Sequence, residues 1–252
     1  MRRSQGRDHL DQLEEFEDRG LIAAVLGLVK TGKEASVYCC SAGPALGGRG
    51  LVAAKIYRER QYRFKNDAVY QESRPREIGL RGSGLRAFNK RRKSDTGREV
   101  QSVTWIQHEY ALLRRLFDAG ADVPRPIASA GNAILMEYLG DEDEAAPQLN
   151  RIQLAPAEAR PLFDRLMSNV ELMLAENVVH GDLSPHNVLY WPGGLTIIDF
   201  PQAVDPRFNR HALDLLSRDV DNVCRYFAPC GVEADGARIA NDLWRRFIFA
   251  AL

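Results

Sequence analysis

The sequence predicts an α+β fold in two lobes: an N-terminal antiparallel sheet carrying one long helix, then a reduced, mainly helical C-terminal lobe. Three observations predict it. Residues 21–57 and 127–139 alternate short apolar runs with glycine-containing turns, as hairpin-connected strands do. Residues 155–176 place Leu162, Phe163, Leu166, Met167, Val170, Met173 and Leu174 at helical spacing. Residues 178–190 and 195–200 form two further strand-like runs, which deliver polar side chains to one place.

The bulk properties set the frame. At about 100–200 residues per domain, 252 residues make one large domain or two closely packed lobes. No apolar run reaches the ~18 residues of a membrane span, and the basic residues 1–8 precede no apolar segment of signal-peptide type. Cys39, Cys40, Cys224 and Cys230 have neither C-x-x-C spacing nor the density of a disulfide scaffold. A reduced, cytoplasmic setting without membrane contact is expected. The 34 Lys+Arg balance 34 Asp+Glu, yet residues 58–98 hold thirteen basic and five acidic residues, a local net charge of +8.

In chain order, residues 1–20 read as a helical extension, with Leu10, Leu13 and Phe16 on one side packing on the lobe that follows. The first lobe runs over 21–139. Its strands are expected at 23–29, 36–40 and 51–57. Gly27 to Lys33 satisfies G-x-x-x-x-G-K, but Glu34 stands where a P-loop needs Ser or Thr, and a strand pattern follows instead of a helix. A hairpin turn whose backbone N–H groups lie over phosphates fits better. Lys55 interrupts an apolar run, where an unpaired ammonium is costly to bury. Residues 104–117 read as a helix, and Glu109 lies on its apolar face, four residues after Trp105 and three before Leu112. A Lys55–Glu109 pair is therefore predicted, with charge-assisted hydrogen bonds worth roughly 1.5–3 kcal/mol each. The basic residues 58–98 between them show weak apolar periodicity and read as a flexible insertion. Tyr57, Tyr62, Phe64, Tyr70 and Phe88 are interleaved with the basic residues, a composition suited to RNA or an acidic partner. Residues 127–128 and 133–139 read as two strands around a Gly131-Asn132 turn. At their end, backbone groups of Glu137 and Leu139 are placed to hydrogen-bond an adenine edge. The second lobe, 140–252, opens on the acidic residues 141–144 and closes with helices at 211–227 and 233–252.

The chemistry concentrates in His180-Gly181-Asp182-Leu183-Ser184-Pro185-His186-Asn187, followed by Asp199 at the end of an apolar run. The H-x-D-x-x-x-x-N spacing with a later apolar-flanked Asp is the arrangement used for phosphoryl transfer in protein kinases. Asp182 can orient or deprotonate an attacking hydroxyl, while Asn187 and Asp199 supply hard oxygen ligands to a divalent cation on the phosphates. His180 and His186 match no zinc spacing, and no cysteine is nearby.

Together these residues resemble the RIO family of atypical serine/threonine protein kinases over most of the chain. Thr31-Gly32-Lys33-Glu34-Ala35-Ser36-Val37-Tyr38 is similar to the family's nucleotide loop, and residues 105–109 to its helix C. Residues 180–187 are similar to its catalytic loop, 198–203 to its metal-binding turn and 213–227 to the helix that follows. The resemblance implies a bilobal protein-kinase-like fold, ATP as co-substrate and Mg²⁺ or Mn²⁺ as cofactor. It implies nucleotide contacts at Gly32, Lys33, Glu34, Ser36, Val37, Lys55, Glu137 and Leu139, with Glu109 as the ion-pair partner of Lys55. Asp182, Lys55 and Asp199 are its implied catalytic residues, and Asn187 and Asp199 its metal ligands. It also implies that Asp199 can accept phosphate itself. Gly181 stands where ordinary protein kinases carry an arginine, Pro201 stands at the DFG glycine, and no A-P-E segment follows. Regulation by activation-loop phosphorylation is accordingly not expected. About twenty residues precede the first strand, too few for the winged helix of one subfamily, so the simpler members are the closer comparison.

Two other readings share parts of this pattern. Antibiotic and choline phosphotransferases carry a similar H-G-D-x-x-x-x-N loop, but need a larger C-terminal lobe than the 53 residues after Asp199 supply. A nucleotide-gated factor that contacts ribosomal or other RNA through residues 58–98, with little catalysis, is the third.

Overall fold

The computed structural model of the chain describes residues 7–58 and 95–252, with side chains from 13–58 and 106–252. The insertion expected at 58–98 therefore lies almost wholly outside the described residues, as do Tyr62, Phe64, Tyr70 and Phe88. The described chain divides into two compact units, one of residues 7–58, 95–112 and 125–145, the other of 113–124 and 146–252.

In the first unit, helix α1 (Arg7–Asp18) precedes strands β1 (Ile22–Thr31), β2 (Ala35–Ala42) and β3 (Leu51–Tyr57). Helix α2 (Asp95–Asp118), which belongs to this unit as far as residue 112, follows, then β4 (Pro126–Ala130) and β5 (Ala133–Glu137). The five strands form one antiparallel sheet in the order β1-β2-β3-β5-β4. Alternation along β3 decides what each face holds. Val52, Ala54 and Ile56 join Cys40, Ala42, Ala133 and Leu135 on one face, and Leu13 and Phe16 of α1 complete that core. Each large apolar side chain so buried contributes roughly 1.5–3 kcal/mol. The opposite face carries Ala53, Lys55 and Tyr57, with Tyr57 packed on Ile134 and on Ile106 of α2. One residue of β3 out of phase would turn Lys55 into the first core, which is why the register matters.

Two expectations need correction here. Helix α2 starts at Asp95 rather than near residue 104. The sequence of the added turns lacks an apolar stripe, so periodicity does not reveal them. Tyr57 is fully buried and is withdrawn from any RNA-contacting set. Its place two residues after Lys55 gives it the same side of the sheet. The β4–β5 turn is as expected, with Gly131 at φ 50 supplying the left-handed residue.

In the second unit, helix α3 (Pro156–Ala175) buries Phe163, Leu166, Val170, Met173 and Leu174. The hairpin of β6 (Val188–Trp191) and β7 (Gly194–Ile197) turns at Pro192-Gly193, with Gly193 at φ 83. Helices α4 (Ala212–Phe227) and α5 (Gly236–Ile248) close the chain. Gly236 opens α5 close to α4, and a Cβ there would stand 2.2 Å from Asp221 Oδ1, so a larger residue would require the Asp221 side chain to turn aside. No helix among the described residues is long and apolar enough to cross a membrane.

Candidate active site

In the first unit, the sheet and α2 bring Lys55 and Glu109 together as expected. Lys55 Nζ lies 3.2 Å from Glu109 Oε1, with the two side chains 13% and 8% exposed. The sequence did not reveal the third member. Tyr57 Oη donates to the same Oε1 at 2.5 Å, and Lys55 Nζ sits 4.9 Å from the Tyr57 ring centroid. Burial, reinforced by the Glu109 charge, holds the Tyr57 hydroxyl well above its ordinary pKa, so it stays a donor. Glu109 Oε2 is buried and accepts no hydrogen bond among the described residues. The carboxylate therefore depends on one oxygen and two donors. Tyr57→Phe keeps the ring and removes one donor. It is expected to cost roughly 1.5–3 kcal/mol, the range for a hydrogen bond to a charged group. Urea unfolding should show a lower midpoint at an unchanged slope.

The nucleotide-loop candidates divide. Gly32 N–H is taken up in closing the turn onto the Ala35 carbonyl at 2.8 Å, so it is not a free phosphate donor. Ser36 is buried, and its Oγ accepts from Arg58 Nη2 at 3.3 Å. Glu34 gives its carbonyl to the Arg58 N–H at 2.9 Å. Lys33 is exposed at the turn, and Val37 lies directly opposite Lys55 on the same face. Beyond Val37, that face holds Cys39 and Leu51, which line a cavity of about 700 Å³ with Leu26, Leu28 and Tyr138. Leu26 and Leu28 are 57% and 55% exposed, an uncovered apolar wall. Glu137 N–H is already donated to the Arg125 carbonyl at 2.9 Å, because β4 pairs alongside β5 there, so it is unavailable to an adenine. Leu139 is half-buried just past the end of β5.

In the second unit, the β6–β7 hairpin assembles the acidic centre. Asn187 immediately precedes β6, and Asp199 lies two residues past β7. The Val188–Ile197 pairing and the Ile198 N–H bond to the Asn187 carbonyl at 2.9 Å draw them together. Asn187 Nδ2 donates to the Asp182 carbonyl at 2.9 Å and to Asp182 Oδ2 at 3.3 Å, which turns Oδ1 away from Asp182. His180, fully buried, ties the two segments. Its Nδ1 accepts the Asp182 N–H at 3.3 Å, so the ring is assigned neutral, with Nε2 donating to the Ile198 carbonyl at 3.2 Å. Asp199 has φ 74, a left-handed conformation that costs a non-glycine residue about 1–3 kcal/mol and collects at functional sites. Burial raises the Asp182 pKa and the Asp199 charge adds to this, against the pull of Arg218 and Asn187.

The donor set fits a divalent cation of the magnesium type. An amide oxygen and a carboxylate are hard ligands, and no group of three His, Cys, Asp or Glu forms a cage among the described residues. Magnesium is commonly held by one or two carboxylates together with substrate phosphates, and does not need such a cage.

A further carboxylate lies in residues 213–227, the helix that resembles the family's, where the sequence reading gave it no role. Asp219 on α4 is only 2% exposed, and its two oxygens accept the N–H groups of Gly181 at 2.7 Å and Leu183 at 2.9 Å. The signal was there: Asp219 lies on the apolar stripe of Leu215, Leu216, Val220 and Val223, as Glu109 does on α2. Burial pushes its carboxyl up to about 7, against the pull of both N–H groups and Arg218. A folded-state pKa above the unfolded value binds an extra proton in the native state. The stabilisation is therefore complete below the unfolded value of 3.8 and is lost as pH rises through about 7. Relative to Asp219→Asn, the wild-type chain should lose stability between about pH 4 and pH 7 and run parallel above. Urea unfolding of both at pH 5 and pH 8 checks this, and a constant difference contradicts it.

Comparison with known proteins identifies the family. The RIO domain family model matches residues 36–239. The RIO-type serine/threonine-protein kinase Rio1 of Haloferax volcanii is 34% identical over 220 residues, covering 86% of this chain and 68% of that protein. Rio1 of Thermoplasma acidophilum is 30% identical over 195 residues, covering 77% and 94%. Human serine/threonine-protein kinase RIO1 is 33% identical over 212 residues, and there the match spans only 34% of the relative's length. Among solved structures, the Rio2 kinase–ADP/Mg²⁺–phosphoaspartate complex from Chaetomium thermophilum superposes with TM-score 0.68. That match is 21% identical and covers 96% of this chain and 66% of the other, which establishes the kinase-like α+β fold. The chain belongs to the RIO family of serine/threonine-protein kinases.

Proposed function

We propose that the chain transfers the γ-phosphate of ATP to serine or threonine hydroxyls, with Asp182 as the base. The observation that carries this reading is the Asp182–Asn187 hydrogen-bond pair, with Asp199 tied in through the Ile198 N–H bond to the Asn187 carbonyl. Asp182, exposed on its loop, accepts the proton of the attacking hydroxyl. Asn187 Oδ1 and the Asp199 carboxylate hold Mg²⁺ or Mn²⁺, which when bound neutralises charge on the phosphates. Lys55, held by Glu109 and Tyr57, contributes an ammonium to phosphate oxygens, and Val37, Cys39 and Leu28 offer an apolar wall for the base of the nucleotide.

A second reading draws on the Rio2 neighbour, which is a phosphoaspartate complex. In it, an Asp199 carboxylate oxygen attacks the γ-phosphorus and the bond to ADP breaks. Water then cleaves the acyl phosphate, restoring Asp199 and releasing phosphate. The observation that favours it is the exposed, left-handed Asp199. Incubation with γ-labelled ATP and Mg²⁺, followed by acid and hydroxylamine treatment, tests both. Acid-stable label on protein supports hydroxyl transfer, hydroxylamine-labile label supports Asp199, and absence of both label and ADP release refutes the pair. The basic residues 58–98 are carried forward as an RNA contact, whose affinity should fall steeply between 50 and 200 mM salt, by on the order of 10³-fold or more if six or more phosphates are engaged.

A further inference from the structure

We infer that Arg218 and Asn222 are positioning residues for Asp182, gripping the catalytic loop by its backbone from helix α4. The inference rests on the reading of Asp182 as base. The two residues that flank Asp182 are Gly181 and Leu183, and all four of their backbone polar groups bond to side chains of α4. Their N–H groups go to Asp219. The Gly181 carbonyl accepts from Arg218 Nη2, and the Leu183 carbonyl accepts from Asn222 Nδ2 at 3.0 Å.

The spacing on the helix explains how three side chains reach one loop. Positions 218, 219 and 222 fall on one side of an α-helix, 218 and 222 a turn apart. Gly181 has φ 77, a conformation side chains rarely adopt, and in it both its N–H and its C=O reach α4. The Asn222 amide is oriented by its own neighbour, since Oδ1 lies 3.5 Å from Arg225 Nη1, which leaves Nδ2 toward the carbonyl. By contrast, the N–H of Asp182 makes, among the described residues, only the 3.3 Å contact to His180. The aim of Asp182 is thus set by its neighbours' peptide groups, and those are set by α4. The Arg218 charge also acts on the Asp182 and Asp219 carboxylates, which places a cation where the loop itself has only Gly181.

The test compares Arg218→Met, Arg218→Lys and Asn222→Asp in the full chain, by initial-rate kinetics, calorimetric ADP–Mg²⁺ binding and thermal unfolding. Asn222→Asp keeps the shape and puts an acceptor against the Leu183 carbonyl. Arg218→Met and Asn222→Asp should lower kcat about 10–100-fold, the size of effect that a misplacement of about 1 Å produces, with KM for ATP and ADP affinity within about twofold of wild type. Arg218→Lys, which keeps a donor and the charge, should recover most of the loss. Unchanged kcat in both variants overturns the inference. So does a parallel loss of kcat, ADP affinity and unfolding midpoint, the signature of residues that only pack the helix. If Arg218→Met fails to fold, the near-isosteric Asn222→Asp and Arg218→Lys decide. Asp182→Asn is the control that separates the two levels. If it matches wild type, the assignment of the base has failed. If it is inactive while Asn222→Asp and Arg218→Met are not, only this inference has.

Discussion

Asp182→Asn is expected to lower kcat for phosphoryl transfer by roughly 10²–10⁴-fold, the contribution of a positioned general base, with KM for ATP little changed. The substitution is close to a pure test of the chemistry. Asparagine has the same shape, and its amide oxygen can still accept from Asn187 Nδ2 as Asp182 Oδ2 does at 3.3 Å. The backbone anchors from Asp219 to Gly181 and Leu183 do not involve the altered group. An amide, however, takes no proton from a hydroxyl. The loss should therefore appear in kcat and be absent from nucleotide binding, which calorimetry with ADP and Mg²⁺ measures independently. Asp199→Ala is expected to give the contrasting pattern, because it removes the proposed cation ligand and should weaken Mg²⁺-dependent binding together with turnover. A variant at Asp182 that retains near wild-type turnover refutes the role given to this carboxylate.

The residues legible in the sequence are those whose polarity contradicts a local pattern. Lys55 breaks the apolar run of β3, Glu109 sits on the apolar face of α2, and Asp199 ends the apolar run of β7; all three lie where that reading puts them. The strands around Gly131-Asn132 and the β6–β7 hairpin are legible for a related reason, since period-two alternation and turn residues are local signals. Other features depend on partners far along the chain. The Glu137 N–H is used because Arg125, twelve residues earlier, pairs beside it. Ser36 is engaged because Arg58, just past the end of β3, bonds to Glu34 immediately before β2 and so lies beside it. Tyr57 groups by composition with the basic aromatic residues that follow it, although its parity with Lys55 already places it on the Glu109 side of the sheet. Asp219 is a parallel case: its position among Leu216, Val220 and Val223 carries the same argument that identifies Glu109, and only the structure brought it out. Helix α2 between 95 and 103 shows no apolar period, so neither its presence nor its start is readable.

Lys55→Met should abolish activity and destabilise the first unit by roughly 3–5 kcal/mol, whereas Lys55→Met combined with Glu109→Leu should restore most of that stability and none of the activity. Glu109 is 7% exposed, and with Lys55 gone its charge is left with the single hydrogen bond from Tyr57. A buried charge deprived of its partner is among the costliest single changes, while an ion pair replaced by apolar side chains of similar volume is often neutral or stabilising. The neighbours suit the replacement, since Tyr57, Ile106 and Ile134 already form an apolar cluster on this side of the sheet. In the double variant the Tyr57 hydroxyl loses its acceptor, so recovery should stop short of complete by about 1–3 kcal/mol, the cost of one unsatisfied buried donor. Adding Tyr57→Phe should then remove that remainder. Urea unfolding of the three variants tests the stability claim, and initial rates test the functional one. A double variant no more stable than Lys55→Met would mean that the pair is a net stabilising element. A double variant that still turns over ATP would mean that the ammonium is dispensable. The predicted pattern, stable and inactive, follows only if Lys55 and Glu109 are kept in the fold for the place they give to one positive charge.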